Sequence, residues 1–372
     1  MNPLRSISQL YGWMIDIRNR RFDQGRSVSV RFHIPVICIG NITVGGTGKT
    51  PHTEYLIRLL QDEFHVACLS RGYKRKTKGF VLADANSSVE SIGDEPLQMF
   101  RKFPKIKVAV QENRRKGICR LLELFPQTDL ILLDDAFQHR AVTPSLSIMM
   151  MDFGRPVYND FMLPYGRLRE KAAGKKRADI VIVSKCPADL GEEKQAEIRQ
   201  ALALEERQTL YFTTLRYDGW QSCTGNQPFE GGRPVLGFCG IGSPRGFLGQ
   251  LQQMDAQAQM LTFSDHHSYS RQDAQHIARA FAAIKDQGGV ILTTEKDYYH
   301  IVHNEFFVSL LPYIYYSKIE VAFLGGQEEA FNRQITDHVR TYPTKRPVPS
   351  PTDRQTSENR YYTRVGAGQA GR

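Results

Sequence analysis

Residues 35–51 read Pro-Val-Ile-Cys-Ile-Gly-Asn-Ile-Thr-Val-Gly-Gly-Thr-Gly-Lys-Thr-Pro, and this stretch decides the fold. Its first half is a short run apolar on both faces, the pattern of a strand buried inside a parallel sheet. Its second half is glycine-rich and ends in Lys-Thr, where a helical pattern begins. A strand, a glycine-rich loop and a helix in that order make a phosphate-binding P-loop. The glycines let successive backbone N–H groups turn toward phosphate, and the helix N-terminus adds the positive end of its dipole. The reading assigns Thr43, Val44, Gly45, Gly46, Thr47, Gly48, Lys49 and Thr50 to ATP, with Lys49 at the β- and γ-phosphates and the Thr50 hydroxyl on Mg²⁺. One departure stands out: Thr43 occupies the position of the motif's first glycine.

Outward from the loop, five more runs share the strand pattern: HVACLS at 65–70, KVAVQ at 107–111, LILLDD at 130–135, SIMMMD at 147–152 and DIVIVSK at 179–185. Segments apolar at helical spacing lie between most of them, such as HTEYLIRLLQDE at 52–63 and RRKGICRLLELF at 114–125. This alternation predicts an α/β fold: a P-loop NTPase-like, mostly parallel sheet with helices on both faces. A break rich in Gly, Pro and Asn at 224–234 predicts a hinge. Beyond it, a second, smaller α/β domain is expected. The expected division is an N-terminal helix at 1–26, a P-loop core at 27–226, the smaller domain at 227–340, and a tail at 341–372. The tail is poor in apolar residues and is expected to stay disordered.

Strand ends supply the other candidates, because ligands of parallel α/β sheets bind at the carboxyl edge. Asp134 and Asp135 end an apolar run, as a metal-binding carboxylate beside a P-loop does. Asp134 is the candidate Mg²⁺ ligand, with Asp135 and His139 at the same rim facing substrate or phosphate. Arg71 follows HVACLS and carries the guanidinium fork that suits phosphate. Asp94, in Gly93-Asp-Glu-Pro96, and the imidazoles of Asp265-His-His267 provide a carboxylate and a base, the usual means of taking a proton from a sugar hydroxyl.

Residues 3–22 read as an amphipathic helix. Leu4, Ile7, Leu10, Tyr11, Trp13, Met14 and Ile17 fall largely on one face, with Arg5, Arg18, Arg20 and Arg21 beside or beyond it. That pattern fits a helix lying in a membrane interface, and equally a helix packed on its own domain. The chain has 372 residues and a net charge of +10, which points to an anionic partner. Six scattered cysteines (Cys38, Cys68, Cys119, Cys186, Cys223 and Cys239) form no CxxC pair and read as reduced core residues. No signal-peptide core and no apolar run of about 18 residues occurs, so no membrane span is expected. No nucleic-acid-binding module is recognised.

Eight segments follow one another in order: IGNITVGGTGKTP, SRGYKRK, GDEP, DDAFQH, LPYGRLRE, FCGIGSPRGF, SDHHSYS and TTEKD. In this the chain resembles the tetraacyldisaccharide 4'-kinase family, the lipid A 4'-kinases, over about residues 1–335. The resemblance implies transfer of the ATP γ-phosphate to the 4'-hydroxyl of a membrane-embedded tetraacylated disaccharide 1-phosphate. It also implies peripheral contact with an anionic membrane, on the cytoplasmic face of the inner membrane. It implies that Asp94 and His266 form a catalytic dyad alongside Lys49, and that Arg71, Asp135, Arg169 and Glu170 serve the active site. Family members more often read LPAGPLRE, so Tyr165 and Arg167 are departures within 163–170. The alternative class is a P-loop partitioning or switch ATPase acting on protein partners. Acyl-chain preference and oligomeric state are not encoded in any of these patterns.

Overall fold

The computed structural model describes residues 3–225, 229, 231–242, 244–265, 267–344 and 361–366. The chain divides into two compact units, Met1–Leu215 with Val321–Arg372, and Arg216–Glu320. In chain order the elements up to the crossing into the second unit are α1 (Pro3–Asp23), β1 (Ser29–Phe32), β2 (Val36–Gly40), α2 (Lys49–Leu60), β3 (Val66–Ser70), β4 (Val81–Leu82), α3 (Val89–Ile92), α4 (Asp94–Lys102), β5 (Lys107–Val110), α5 (Arg114–Leu124), β6 (Leu130–Asp134), β7 (Leu146–Asp152), β8 (Ile180–Ser184), α6 (Glu192–Leu202) and β9 (Thr209–Ser222). Then follow β10 (Val235–Cys239), α7 (Arg245–Met254), β11 (Gln259–Thr262), α8 (Arg271–Lys285), β12 (Val290–Thr294) and α9 (Glu295–Ile301). The chain returns through β13 (Ile314–Phe323) to α10 (Glu328–Thr341) and β14 (Tyr362–Val365).

In the first unit the strands run β9-β8-β7-β2-β6-β3-β5-β4. The pairs between β9 and β5 are parallel, and β4 closes the edge antiparallel. All six apolar runs named in the sequence are strands of this sheet. Their residues are buried on both faces: Ile37, Ile39, Leu130, Leu132, Ile148 and Ile180 enter one core, and Cys38, Ala67, Leu69, Ile131 and Leu133 another. Helices on each side explain why neither face can be polar. In the second unit β11, β10, β12 and β13 form a parallel set, around cores built on Phe238, Phe281 and Phe307 and on Phe247 and Leu251.

Three details differ from the sequence-based expectation. The crossing into the second unit falls at Arg216, inside β9, and not in the Gly/Pro/Asn-rich segment at 224–234. On the far side, Val321 onward joins the first unit, because Val321, Phe323, Phe331, Ile335 and Val339 enter its core. Within the tail, Tyr362–Val365 forms a strand antiparallel to β1. Tyr361 and Tyr362 are buried, and Tyr362 meets Phe32 edge-on and lies under the Arg115 guanidinium. Two aromatic residues suffice to seat a segment whose average composition is polar.

Helix α1 buries Ser8 and Gly12. Its outward side carries Leu4, Ile7, Leu10, Trp13, Met14 and Ile17, which are 39–62% exposed. Tyr11 departs from the expected apolar face, because its hydroxyl donates to the Arg169 carbonyl at 3.1 Å. Among the described residues no helix is long and apolar enough to cross a membrane.

Candidate active site

Strand register assembles the site. Strand β2 lies between β6 and β7, with Ile39 opposite Asp134 and Gly40 opposite Met149. The P-loop therefore leaves the sheet beside the carboxylates that end β6. Gly40 is required there: a Cβ would stand 2.7 Å from the Phe137 Cβ. Gly45 and Gly48 take φ of 102° and 75°, a region open to glycine at little cost. Gly48 caps α2, so Lys49 and Thr50 begin that helix.

Lys49 Nζ lies 3.6 Å from Asp135 Oδ1. Asp135 also receives Arg169 at 3.4 Å, from a left-handed backbone with φ 45°. The structure thus brings together Lys49, Asp135 and Arg169, which stand 34 or more residues apart in sequence. Burial pushes Asp135 up, but Lys49, Arg169 and Arg114 together outweigh it and hold its carboxyl below the ordinary range. Asp134 behaves in the opposite way. Burial first, then the charges of Asp135 and Glu95, push it up to about 7. The Thr53 hydroxyl donates to it at 3.0 Å.

The LPYGRLRE loop docks on the P-loop. Val44 N–H donates to the Arg167 carbonyl at 2.8 Å, and Arg169 N–H to the Ile42 carbonyl at 2.8 Å. Arg155 and Arg167 each place a guanidinium nitrogen 4.0 Å from where a Gly45 Cβ would sit. Glu170 is buried. It accepts from Gln138 at 3.0 Å, Arg177 at 2.9 Å and Asn19 of α1 at 3.4 Å, so it braces the loop that carries Arg169. His139 accepts from the Arg114 backbone N–H through Nε2 at 3.2 Å. Burial, with the charges of Arg114, Arg18 and Arg71, lowers its pKa to about 4, so this imidazole is neutral.

Arg71 is exposed at the end of β3. Asp94 is buried at the first position of α4, behind Gly93 with φ 93°. A Cβ on Gly93 would approach the Gly72 Cα to 3.1 Å, so the SRGY and GDEP segments meet through two glycines. His266 lies outside the described residues; His267 donates through Nε2 to the Asp273 carboxylate at 3.0 Å.

A magnesium ion suits the donors present. Asp134 and Asp135 crowd negative charge at a buried strand end, which a cation relieves. Among the described residues no three His, Cys, Asp or Glu side chains converge on a metal position. The ion beside a P-loop takes few protein ligands, the rest being phosphate and water. Sequence reasoning did not single out Arg114, which is buried with its pKa lowered to about 10 by desolvation against the pull of Asp134 and Asp135. It also passed over Thr53, three residues past Thr50 on the inner face of α2.

Comparison with known proteins is consistent with this geometry. A family model described as tetraacyldisaccharide-1-P 4'-kinase matches residues 2–340. The tetraacyldisaccharide 4'-kinase of Bacteroides thetaiotaomicron is 45% identical, over 91% of this chain and 93% of its own length. That of Phocaeicola vulgatus is 46% identical, over 91% and 94%. The crystal structure of LpxK from Aquifex aeolicus in complex with ATP is 27% identical, with a TM-score of 0.69, covering 90% of this chain and 98% of that one. With a family model spanning nearly its whole folded length and relatives above 40% identity, the chain belongs to the tetraacyldisaccharide 4'-kinase family.

Proposed function

We propose that this protein transfers the γ-phosphate of ATP to the 4'-hydroxyl of a tetraacylated disaccharide 1-phosphate, forming the 4'-phosphorylated lipid. The observation that carries the reading is the convergence of Lys49, Asp135 and Arg169 at the mouth of the P-loop. Phosphoryl transfer needs positioning and charge stabilisation more than covalent chemistry. Lys49 and Arg169 supply positive charge where it develops on the transferring group. Asp135 holds both cations at the rim before nucleotide arrives. Thr50 and Asp134 are the residues that would hold Mg²⁺, which when bound neutralises phosphate charge. Asp94, buried at the start of α4, takes the proton of the sugar hydroxyl, with His266 as its partner. Arg71 and His139 face the phosphates or the acceptor.

The outward apolar face of α1 supports a peripheral membrane role. Six large apolar side chains turned to solvent on one helix are an unusual patch for a soluble surface. Acyl chains leave a bilayer at a cost of about 0.8 kcal/mol per CH₂, so the enzyme comes to the lipid. The anionic inner leaflet, met from the cytoplasmic side, suits the net charge of +10. The test is ATP turnover measured with and without the disaccharide 1-phosphate in mixed micelles. Turnover that depends on the acceptor is expected. Turnover at the same rate without it would overturn the kinase reading in favour of a P-loop ATPase acting on other partners.

A further inference from the structure

A phosphate nest turns its N–H groups inward, which turns its carbonyls outward into protein. Buried carbonyls require donors. In this loop three consecutive carbonyls, that of buried Thr47 and those of its more exposed neighbours Gly46 and Gly48, each have a side-chain donor. Lys185, after β8, donates to the Gly46 carbonyl and is itself held by Asp152 at 2.9 Å. Ser184 Oγ donates to the Thr47 carbonyl at 2.8 Å. His52, on the first turn of α2, reaches the Gly48 carbonyl through Nδ1 at 2.7 Å. The Asn41 amide steadies the loop further by donating to Thr47 Oγ1 at 2.8 Å.

His52 is the most informative of these. A carbonyl only accepts, so Nδ1 carries the proton. Nε2 is then the acceptor, and the Thr213 hydroxyl of β9 donates to it at 2.9 Å. His52 and Thr213 are both buried. With a partner on each ring nitrogen, the enclosed imidazole is held in this one tautomer. The ring spans from β9 to the residue whose left-handed backbone turns the loop into α2. That residue, Gly48, immediately precedes Lys49.

We infer that His52 is a positioning residue for nucleotide: by fixing the Gly48 carbonyl outward it sets the orientation of the phosphate-facing N–H groups, and with them the affinity for ATP. This rests on the P-loop reading above. It predicts a split between two substitutions of similar polarity. Asn places its amide nitrogen near the position of Nδ1, so H52N keeps the donor to Gly48. Gln places its polar atoms near Nε2, so H52Q keeps the Thr213 side and loses the side-chain bond to Gly48, whose carbonyl is left with only the backbone N–H of residue 52 at 3.3 Å.

The experiment measures steady-state transfer from labelled ATP to the disaccharide 1-phosphate in mixed micelles, and ATP binding by calorimetry, with melting temperatures recorded alongside. The expected result is a KM and Kd for ATP about tenfold higher in H52Q, the scale of one lost buried hydrogen bond. H52N recovers most of the affinity, and the KM for the lipid acceptor is unchanged in both. A H52Q enzyme that binds ATP like the wild type overturns the inference. So does equal impairment of both variants, or impairment that extends to the acceptor KM, because a merely structural histidine would behave in that way. Lys49→Ala in the same assay separates the layers: if it too binds and uses ATP normally, the P-loop reading itself has failed.

Discussion

Helices α1 and α2 both border the site, and they bury opposite halves of themselves. Helix α2 hides Leu56, Ile57 and Leu60, and with them three polar residues, His52, Thr53 and Glu54. Each of the three is satisfied by a defined partner: Gly48 and Thr213, Asp134, and the Gln98 and Lys102 pair of α4. Helix α1 hides only Ser8 and Gly12 and contacts the site through polar groups. Tyr11 binds the Arg169 carbonyl, Arg18 the Gln138 carbonyl, and Asn19 the Glu170 carboxylate. Its apolar residues face out. An unpartnered apolar face works against folding in water, so α1 is built for an environment that α2 never meets.

The comparison breaks most visibly at the polar helix ends. Asp94, at the N-terminus of α4, and His266 are each expected to lower kcat by about 10²–10⁴-fold when changed to Ala. The double variant should be little worse than the worse single one, as for residues acting as a unit. Multiplicative losses in a kinetic double-mutant cycle would separate them. At the N-terminus of α2, Lys49→Ala should lower kcat by about 10²–10³-fold with the fold intact, since one charge stabiliser of the transition state is lost. Circular dichroism checks the fold and product formation the rate.

Asp134 gives the buried side of the comparison a pH signature. Its folded pKa of about 7 lies above its unfolded value of 3.8, so the folded protein holds a proton that the unfolded chain has released. Stability of the protein free of nucleotide and metal should therefore fall as the pH rises from about 4 to about 7. The slope from this group is at most about 1.4 kcal/mol per pH unit. Asp134→Asn should remove that slope; urea unfolding at pH 5 and pH 8 measures it. A wild-type slope retained in the variant would locate the proton elsewhere.

The smallest effect on the soluble protein belongs to α1. Trp13→Ser and Leu10→Ser remove exposed side chains, so stability should change by no more than about 0.5 kcal/mol each. Each should nevertheless weaken sedimentation with anionic vesicles and raise the KM for lipid about tenfold, because a buried apolar side chain contributes about 1.5–3 kcal/mol. The KM for ATP should not move. Point changes suit this test better than deleting the helix, since Asn19 and Asp23 also hold Glu170 and Arg140.

The core of this account was legible in the sequence because its signals are local. Six apolar runs became six strands, and the glycines of 45–48 lie between a strand and a helix as the motif requires. What was not legible depends on long-range partners. The donors to the Thr47 and Gly48 carbonyls, Ser184 and His52, look like an ordinary strand residue and an ordinary helix residue until residues 137 and 161 positions apart are brought together. Tyr11 falls on the apolar face by period, yet its hydroxyl finds a carbonyl. The β14 strand was hidden because composition averages over a window, while seating it took two tyrosines and the open edge of β1. The crossing into the second unit lies within a strand, at Leu215–Arg216, where the strand pattern runs on without a break.

The central claim, phosphate transfer to a specific hydroxyl of a lipid, is tested most directly by locating the label. The protein is incubated with γ-labelled ATP and tetraacyldisaccharide 1-phosphate, and the lipid is recovered and analysed by chromatography and phosphorus NMR. The account predicts a bisphosphorylated lipid with the label on the 4'-oxygen, formed by the wild type and about 10²–10³-fold more slowly by Lys49→Ala. Label released as inorganic phosphate with the lipid unchanged would contradict it.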